Sequence, residues 1–427
     1  MKTAYINGNV LNGKEDMTPV AGMTVVTSGE CIDSIQPAGA DLPEDCEVVD
    51  LNAKYIMPGL INMHVHIPAN GKPKKKPSDP RKTVKLVTAN RFTRKIVEYM
   101  YKKYVKDQLL SGVTTIRTVG GVEYYDTWLR DEIASGNAVG PTILASNMAV
   151  SVPGGHMAGS LAYEATSKEE AAGFVTRIAK DKPDLIKLMI TGGVLDATEK
   201  GEPGVLRMPP EFVKAACDEA HRLGLPVAAH VESSEGVKVA LENGVDTIEH
   251  GAKPDADIIE LFKSRGAAVI TTLSPALPYA LFDLSVSHCG EMAKYNGKIV
   301  FDGIIDCAKA CLENNIPVGL GTDTGCPFIT HYDMWRELVY FSRYCDVTPA
   351  FALYSATLGN AKIAHIDDRV GTIEAGKVAD MVITEKNPLN DLTALRNISA
   401  VISRGRRIDQ PEIKKMEQVE RELDKFL

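Results

Sequence analysis

No run of apolar residues in this chain approaches the ~18 needed to cross a bilayer, so no membrane span is expected. The opening stretch, Met1 to Asn9, lacks the apolar centre of a secretory signal. A basic excess is missing as well. Forty-eight Lys and Arg against 56 Asp and Glu leave a net charge of −8, which offers no footprint for nucleic acid. Cysteine is sparse and scattered, with eight in 427 residues. The one close pair, Cys307 and Cys311, stands at i, i+4 on an expected helix and suits packed free thiols better than a metal site. Free thiols without a signal give a cytoplasmic location as the expectation. No Gly-x-Gly-x-x-Gly follows an early strand, which disfavours a dinucleotide-binding sheet. What remains is a globular composition, 44% hydrophobic and 24% charged, on a chain long enough for a large barrel.

From residue 56 onward, short apolar strands alternate with amphipathic helices. The expected strands are Ile56–His66, Val113–Val119, Thr142–Ser146, Leu185–Ile190, Pro226–His230, Thr247–His250, Ala268–Thr272 and Pro317–Gly321. Helical patterns over Lys168–Lys180, Pro210–Leu223, Asp255–Arg265 and Asp302–Asn314 lie between them. This alternation predicts parallel pairing in an α/β fold, a (β/α)₈ TIM barrel over residues 56–370, with a doubly wound open sheet as the alternative. Residues 1–55 and 371–408 carry short β-like pieces split by Gly, Asn, Asp and Pro. Neither end can build a core alone, so a small β-sandwich domain built from both chain ends is expected. Residues 409–427 are expected to end the chain in a charged helix. The lysine-rich stretch Lys72-Pro73-Lys74-Lys75-Lys76-Pro77 follows the first strand and reads as a solvated loop or as a lid that attracts anions.

The chemistry begins at His64-Val65-His66. Side chains at i and i+2 of a strand share a face, so two imidazoles stand side by side at the strand end. Such a pair suits a borderline-soft divalent cation such as Zn²⁺. Active sites of barrels lie at the C-terminal ends of the strands. Lys187 stands near the end of strand four, His230 ends strand five, His250 ends strand six, and Asp323 follows strand eight. Four histidines, a lysine and an aspartate at matching heights predict a metal centre rather than hydrogen-bonded core residues.

With those residues in view, the chain resembles the amidohydrolase superfamily. The motifs are Pro58-Gly59-Leu60-Ile61-Asn62-Met63-His64-Val65-His66, the strand-four lysine, the two later histidines, Gly321-Thr322-Asp323, and Gly371 to Asp380 near the far end. Within the superfamily it is most similar to the branch holding imidazolonepropionase-like proteins, metal-dependent Xaa-Pro dipeptidases and arginine carboxypeptidases. Lys187 favours the dipeptidase side, because imidazolonepropionases lack that lysine. The resemblance implies two divalent metal ions, probable zinc in this branch, and a CO₂-derived carbamate on Lys187 that bridges them. A lysine beside cations has a depressed pKa, and its neutral amine can add CO₂. It further implies that His64, His66 and Asp323 hold the first metal and that His230 and His250 hold the second. A hydroxide between the metals is then the nucleophile, and Asp323 carries its proton to the leaving nitrogen. Homo-oligomerisation is implied too, and the partner is a small-molecule substrate.

For substrate recognition, His156 in Val152-Pro153-Gly154-Gly155-His156 matches a loop whose histidine approaches the substrate carboxylate in the dipeptidase branch. Arg117, ending strand two, is a second anion-binding candidate, or it is neutralised by an acid such as Glu123. Gly192-Gly193 leave room for a ligand beside backbone. Two departures stand against a simple dipeptide: Val231 follows His230 where many members have tyrosine, and Thr118 follows Arg117 where many have aspartate. The segment from Ser274 to Val300 is expected to wall the pocket with Tyr279, Phe282 or His288. His331 is a candidate to orient a ligand, while His221 and His365 read as surface residues. The leading expectation is a binuclear hydrolase cleaving an amide-type C–N bond. A dipeptidase or carboxypeptidase, a mononuclear deaminase and a non-catalytic scaffold are the alternatives.

Overall fold

A computed structural model describes residues 2–73 and 79–427. Most of the lysine-rich loop, residues 74–77, lies outside the described residues. The fold is mixed α/β and of TIM-barrel type. Its barrel strands are Leu60–Val65, Val113–Thr118, Thr142–Leu144, Ile186–Met189, Val227–Val231, Thr247–His250, Ala268–Thr271 and Val318–Leu320. Every neighbouring pair among them for which a ladder forms is parallel. The ladders group into a sheet of three strands and a sheet of seven. At one seam a parallel bridge joins Val65 to Thr324, with Asp323 donating to the His64 carbonyl at 2.9 Å. At the other, the Asp184 amide donates to the Ala145 carbonyl at 2.7 Å. Strand three comes in two pieces, and the second, Ala149–Ser151, pairs with Ile186–Met189.

The expected strand Ile56–His66 is two strands. Tyr55–Pro58 pairs antiparallel with Met381–Thr384, whereas Leu60–Val65 enters the barrel. Gly59 is the junction. Its amide donates to the Asp380 carbonyl, and a Cβ there would meet Thr114 Oγ1 at 2.1 Å. Tyr55–Pro58 thus belongs to a mixed sheet of eight strands drawn from both ends of the chain. Tyr5, Val25, Ile32, Ile56, Met381 and Ile402 share its core.

The helices follow the amphipathic pattern, with Lys168–Ala179, Pro210–Arg222 and Ala256–Arg265 close to expectation. The helix expected from Asp302 begins at Glu291 and runs to Glu313. The segment before it forms a helix too, Leu273–Leu281, although it contains two prolines. The buried carboxylate of Glu337 caps that helix, accepting from the amides of Leu273 at 2.6 Å and Ser274 at 2.8 Å. The cap lies 64 residues away in sequence, so no local pattern announces it. The C-terminal helix is shorter than expected, Glu417–Leu423. Residues up to Asp409 pair as a strand, and Pro411 has no amide proton to give a helix. All eight cysteines are free, and Cys307 and Cys311 are packed in the core. Among the described residues no helix is long and apolar enough to cross a membrane.

Candidate metal centre

Strand eight passes so close to strand one that a Cβ on Gly321 would lie 2.4 Å from the Cβ of His64. That glycine brings Asp323 alongside the His64–His66 pair. Asp323 Oδ1 lies 3.2 Å from His66 Nε2 and 3.5 Å from His64 Nε2. The His250 ring is centred 4.8 Å from that of His64 and 4.7 Å from that of His230. Lys187 is buried beneath them with no hydrogen-bond partner for its Nζ.

Two of these residues reach the site only through strained backbone. Thr247 and Glu249 share the barrel-facing side of strand six, so strict alternation would turn His250 outward. Its φ of +69° turns it back in, and Asp323 has a φ of +52°. Left-handed backbone on a non-glycine residue costs about 1 kcal/mol or more, and it collects at functional sites.

Each histidine has one ring nitrogen tied to a protein partner. His64 Nδ1 donates to Glu249 Oε2 at 2.7 Å, and His66 Nδ1 donates to the Gly120 carbonyl at 2.8 Å. His230 Nε2 donates to the Gly192 carbonyl at 3.2 Å, and His250 Nδ1 lies 2.7 Å from Thr272 Oγ1. The tie fixes each ring and leaves the other nitrogen uncommitted, the arrangement that metal-binding imidazoles need. Burial and the Lys187 charge lower the pKa of His64 to about 4, and burial also holds His230 and His250 well below the ordinary histidine range. Unprotonated rings can donate lone pairs. Burial lowers Lys187 to about 8, with Arg117 adding to the fall and Glu249 and Asp323 opposing it.

The donors fit a divalent cation. His64, His250 and Asp323 offer ligand atoms within 4.8 Å of one another, and His230, Glu232 and His250 do the same. Buried Lys187 Nζ, Asp323 Oδ1 and Glu232 Oε2 have no hydrogen-bond partner. A buried polar atom left alone is costly, and a cation would relieve the two carboxylates.

The Arg117 guanidinium is engaged inside the barrel, donating to the Met63 carbonyl at 2.8 Å, Thr247 Oγ1 at 3.0 Å and Glu249 Oε1 at 2.6 Å. Glu123, the acid expected to neutralise it, pairs instead with Arg94. Glu249 is one of the residues that sequence reasoning missed. Burial pushes its carboxyl up, but Arg117 and the His64 hydrogen bond outweigh this and hold it well below the usual carboxylate range. The signal was present, since Glu249 lies two residues after Thr247 on the inner face, but its partner stands 185 residues away.

His156 does come to the centre. Its ring stacks on His230 with centroids 4.0 Å apart, and its Nδ1 lies 2.5 Å from Asp196 Oδ2. The space left by Gly193 is taken by that ring, 3.3 Å from where a Cβ would be. Asp196 was not foreseen. Cys326 Sγ donates to Asp323 Oδ2 at 3.4 Å. His331 stacks on Tyr104 and donates to the Ala69 carbonyl at 2.7 Å, so it braces the loop after strand one. Of the expected wall residues, Tyr279 is close enough to feel the charges of Asp323 and Glu232. Phe282 packs on Phe328 instead, and His288 is exposed. A cavity of about 890 Å³ opens beside the centre, lined by Gly204, Leu206, Glu232, Gly251, Lys253 and Val300. Another, of about 540 Å³, lies at the opposite ends of the strands, against Asp184, Asp246 and Pro317.

Residues 55–408 match the amidohydrolase family. The chain belongs to that family. Amidohydrolases are generally metal-dependent, and the donor set described above suits that chemistry. The imidazolonepropionase of Desulfotalea psychrophila is 24% identical over 416 residues, covering 90% of this chain and 89% of that protein. Ochratoxinase from Aspergillus niger is 25% identical over 325 residues. That match spans 69% of this amidohydrolase and 64% of the relative, just under two thirds of its length. Among solved structures, a Bifidobacterium longum protein provisionally assigned as a prolidase has a TM-score of 0.88 at 34% identity, covering 99% of this chain and 98% of its own. A Xaa-Pro dipeptidase solved with methionine in its active site has a TM-score of 0.84 at 28% identity, covering 96% of this chain and all of the other.

Proposed function

We propose that the protein is a binuclear metal hydrolase that cleaves an amide-type C–N bond in a small molecule bearing a carboxylate. In this reading His64, His66 and Asp323 would hold one divalent cation, with N/O donors that suit zinc, and His230 and His250 would hold the other. Lys187, carboxylated at Nζ, lies between them. The observation that carries the proposal is the set of four tied imidazoles, each with one ring nitrogen uncommitted, around a buried lysine amine without a partner. A neutral amine adds CO₂ and releases a proton, and the lowered pKa of Lys187 raises its neutral fraction. Cations bound there would supply Lewis acidity, activating water and polarising the scissile carbonyl.

The chain's own residues do the rest. Asp323 takes a proton at its carboxylate and returns it to the leaving nitrogen, which cannot depart as an amine anion. Glu249 and Arg117 hold His64 in one tautomer. His156, fixed by Asp196 at Nδ1, offers its Nε2 to the substrate carboxylate. The seam hydrogen bonds support a closed eight-stranded barrel over residues 56–370. The shared core supports a sandwich domain of residues 1–55 and 371–408, with 409–427 as a C-terminal appendage. Leu86, Phe92 and Tyr99, 67%, 76% and 70% exposed on the helices Pro80–Val87 and Arg91–Leu110, support association into a homo-oligomer.

The His156–Asp196 pair and the likeness to prolidase and Xaa-Pro dipeptidase structures favour a dipeptidase as the second reading. A mononuclear deaminase has no use for Lys187, and a scaffold has none for six converging ligands. The test is amine release from pooled dipeptides and N-acyl amino acids, with protein expressed in zinc and bicarbonate. Cleavage of free-carboxylate dipeptides selects the peptidase reading. Silence from protein shown to hold two metals points to cyclic amides, and protein that takes up no metal sinks the proposal.

A further inference from the structure

The i, i+2 rule that brings His64 and His66 together applies equally to His230-Val231-Glu232 at the end of strand five. Alternation sends Val231 into the buried layer behind the strand, and it sends Glu232 to the same side as His230. The ligand atoms of His230, Glu232 and His250 all lie within 4.8 Å of one another. Residue 232 as a whole is half-buried, but its Oε2 is buried and without a hydrogen-bond partner. Among the described residues no Lys, Arg or His forms an ion pair with it. Its charged neighbours are the carboxylates of Asp323 and Asp196. Like charges gathered around a half-buried carboxylate lack a cation.

We propose that Glu232 is a protein ligand to the metal on the His230 and His250 side, so that this chain supplies that cation with two imidazoles and a carboxylate of its own. Two histidines and a glutamate form a donor set suited to zinc. The inference rests on the metal-centre reading above and extends it. If Glu232 anchors the second cation, its retention does not depend on the Lys187 carbamate alone. The carboxylate also lines the cavity of about 890 Å³. A carboxylate ligand there would give way to an incoming substrate more readily than a backbone-tied imidazole.

The decisive experiment measures metal rather than turnover. Wild type, Glu232→Gln and Glu232→Asp are loaded with Zn²⁺ in bicarbonate. Metal per chain is read by mass spectrometry, and affinity is read by chelator competition. The same variants carrying Co²⁺ are compared by their visible ligand-field spectra. The expected result is two metals in wild type and a second site at least tenfold weaker in Glu232→Gln. Glu232→Asp should recover part of the loss, and the Co²⁺ spectrum should change in both variants. Melting of the metal-free proteins separates ligand loss from misfolding. If Glu232→Gln fails to fold, the Glu232→Asp spectrum decides: an unchanged band would overturn the proposal. Two metals in Glu232→Gln, with unchanged affinity and spectrum, would also overturn it and leave the carboxylate to a cationic group on the substrate. Wild type without metal would instead sink the parent reading.

Discussion

The two ends of the barrel use the same residue types to opposite effect. At the N-terminal ends two acids, Asp184 and Asp246, are satisfied. Asp184 Oδ2 accepts from the Ala145 amide at 2.7 Å and from Arg130, and Asp246 Oδ2 accepts from the Val227 amide at 2.7 Å and from His221. Asn360 stitches strand one to strand eight through the Ile61 carbonyl and both polar groups of Leu320. At the C-terminal ends, Asp323, Glu232 and Lys187 are buried with atoms that have no partner, and His250 and Asp323 hold left-handed backbone. The satisfied end contributes stability, while the unsatisfied end leaves polar atoms that the proposed cations would meet. The contrast teaches that chemistry here is marked by what the fold leaves unpaired.

The contrast can be broken most severely at Asp323. Asp323→Asn should lower kcat by about 10³-fold, as loss of a general acid–base group does, while the fold and most of the metal are kept. Activity within tenfold of wild type would remove Asp323 as proton carrier. Next in size, Lys187→Ala should lose at least half the bound metal and about 10²-fold in turnover, with partial recovery when short carboxylic acids are added. Metal analysis showing two ions held as tightly as in wild type would mean that Lys187 is not the bridge.

A third prediction concerns the metal-free protein. His64 and His331 have folded pKa values of about 4 against an ordinary 6.5, and His230 and His250 lie well below the ordinary value, in each case first because they are buried. The unfolded chain therefore binds more protons between those limits. Stability from these rings is fully present above pH ~6.5 and is lost as pH falls toward 4, at about 1.4 kcal/mol per pH unit for each ring. Buried acids raised into the same range, Glu337 to about 7 and Glu232 to about 8, act in the opposite sense, so the rings are read one by one: by NMR of the apo protein none of the four should titrate between pH 7 and pH 5, and saturating Zn²⁺ should raise the melting temperature at pH 7. A ring among these four that titrates near 6.5 would contradict their neutral burial. The smallest effect belongs to the satisfied end. Asp246→Ala leaves the Val227 amide without its acceptor and should cost about 1–3 kcal/mol of stability with kcat unchanged. A fall in kcat with no change in melting would reverse the assignment of the two ends.

The candidate ligand histidines were legible because a strand's period of two places them by local rules alone, and because barrel strands end at one height. The same rule would have exposed Glu232, had His230-Val231-Glu232 been read as His64-Val65-His66 was. The partners of Arg117 were not legible, because Glu249 lies on a strand 132 residues further along. Asp196 and the Glu337 cap escaped for the same reason. The split of the first strand at Gly59 was hidden as well, since Tyr55 to Met63 is one apolar run whichever sheet receives it.

The sequence by itself determined the alternation of strands and helices, the types of donor at the strand ends, and the packing of Cys307 and Cys311 as free thiols. These follow from periodicity and side-chain chemistry, which act over a few residues. The tertiary structure decided which nitrogen of each histidine is tied, which acid meets Arg117, and which buried atoms have no partner. Those outcomes depend on distances across the barrel, where a shift of an ångström makes or breaks a hydrogen bond and no local pattern carries the information.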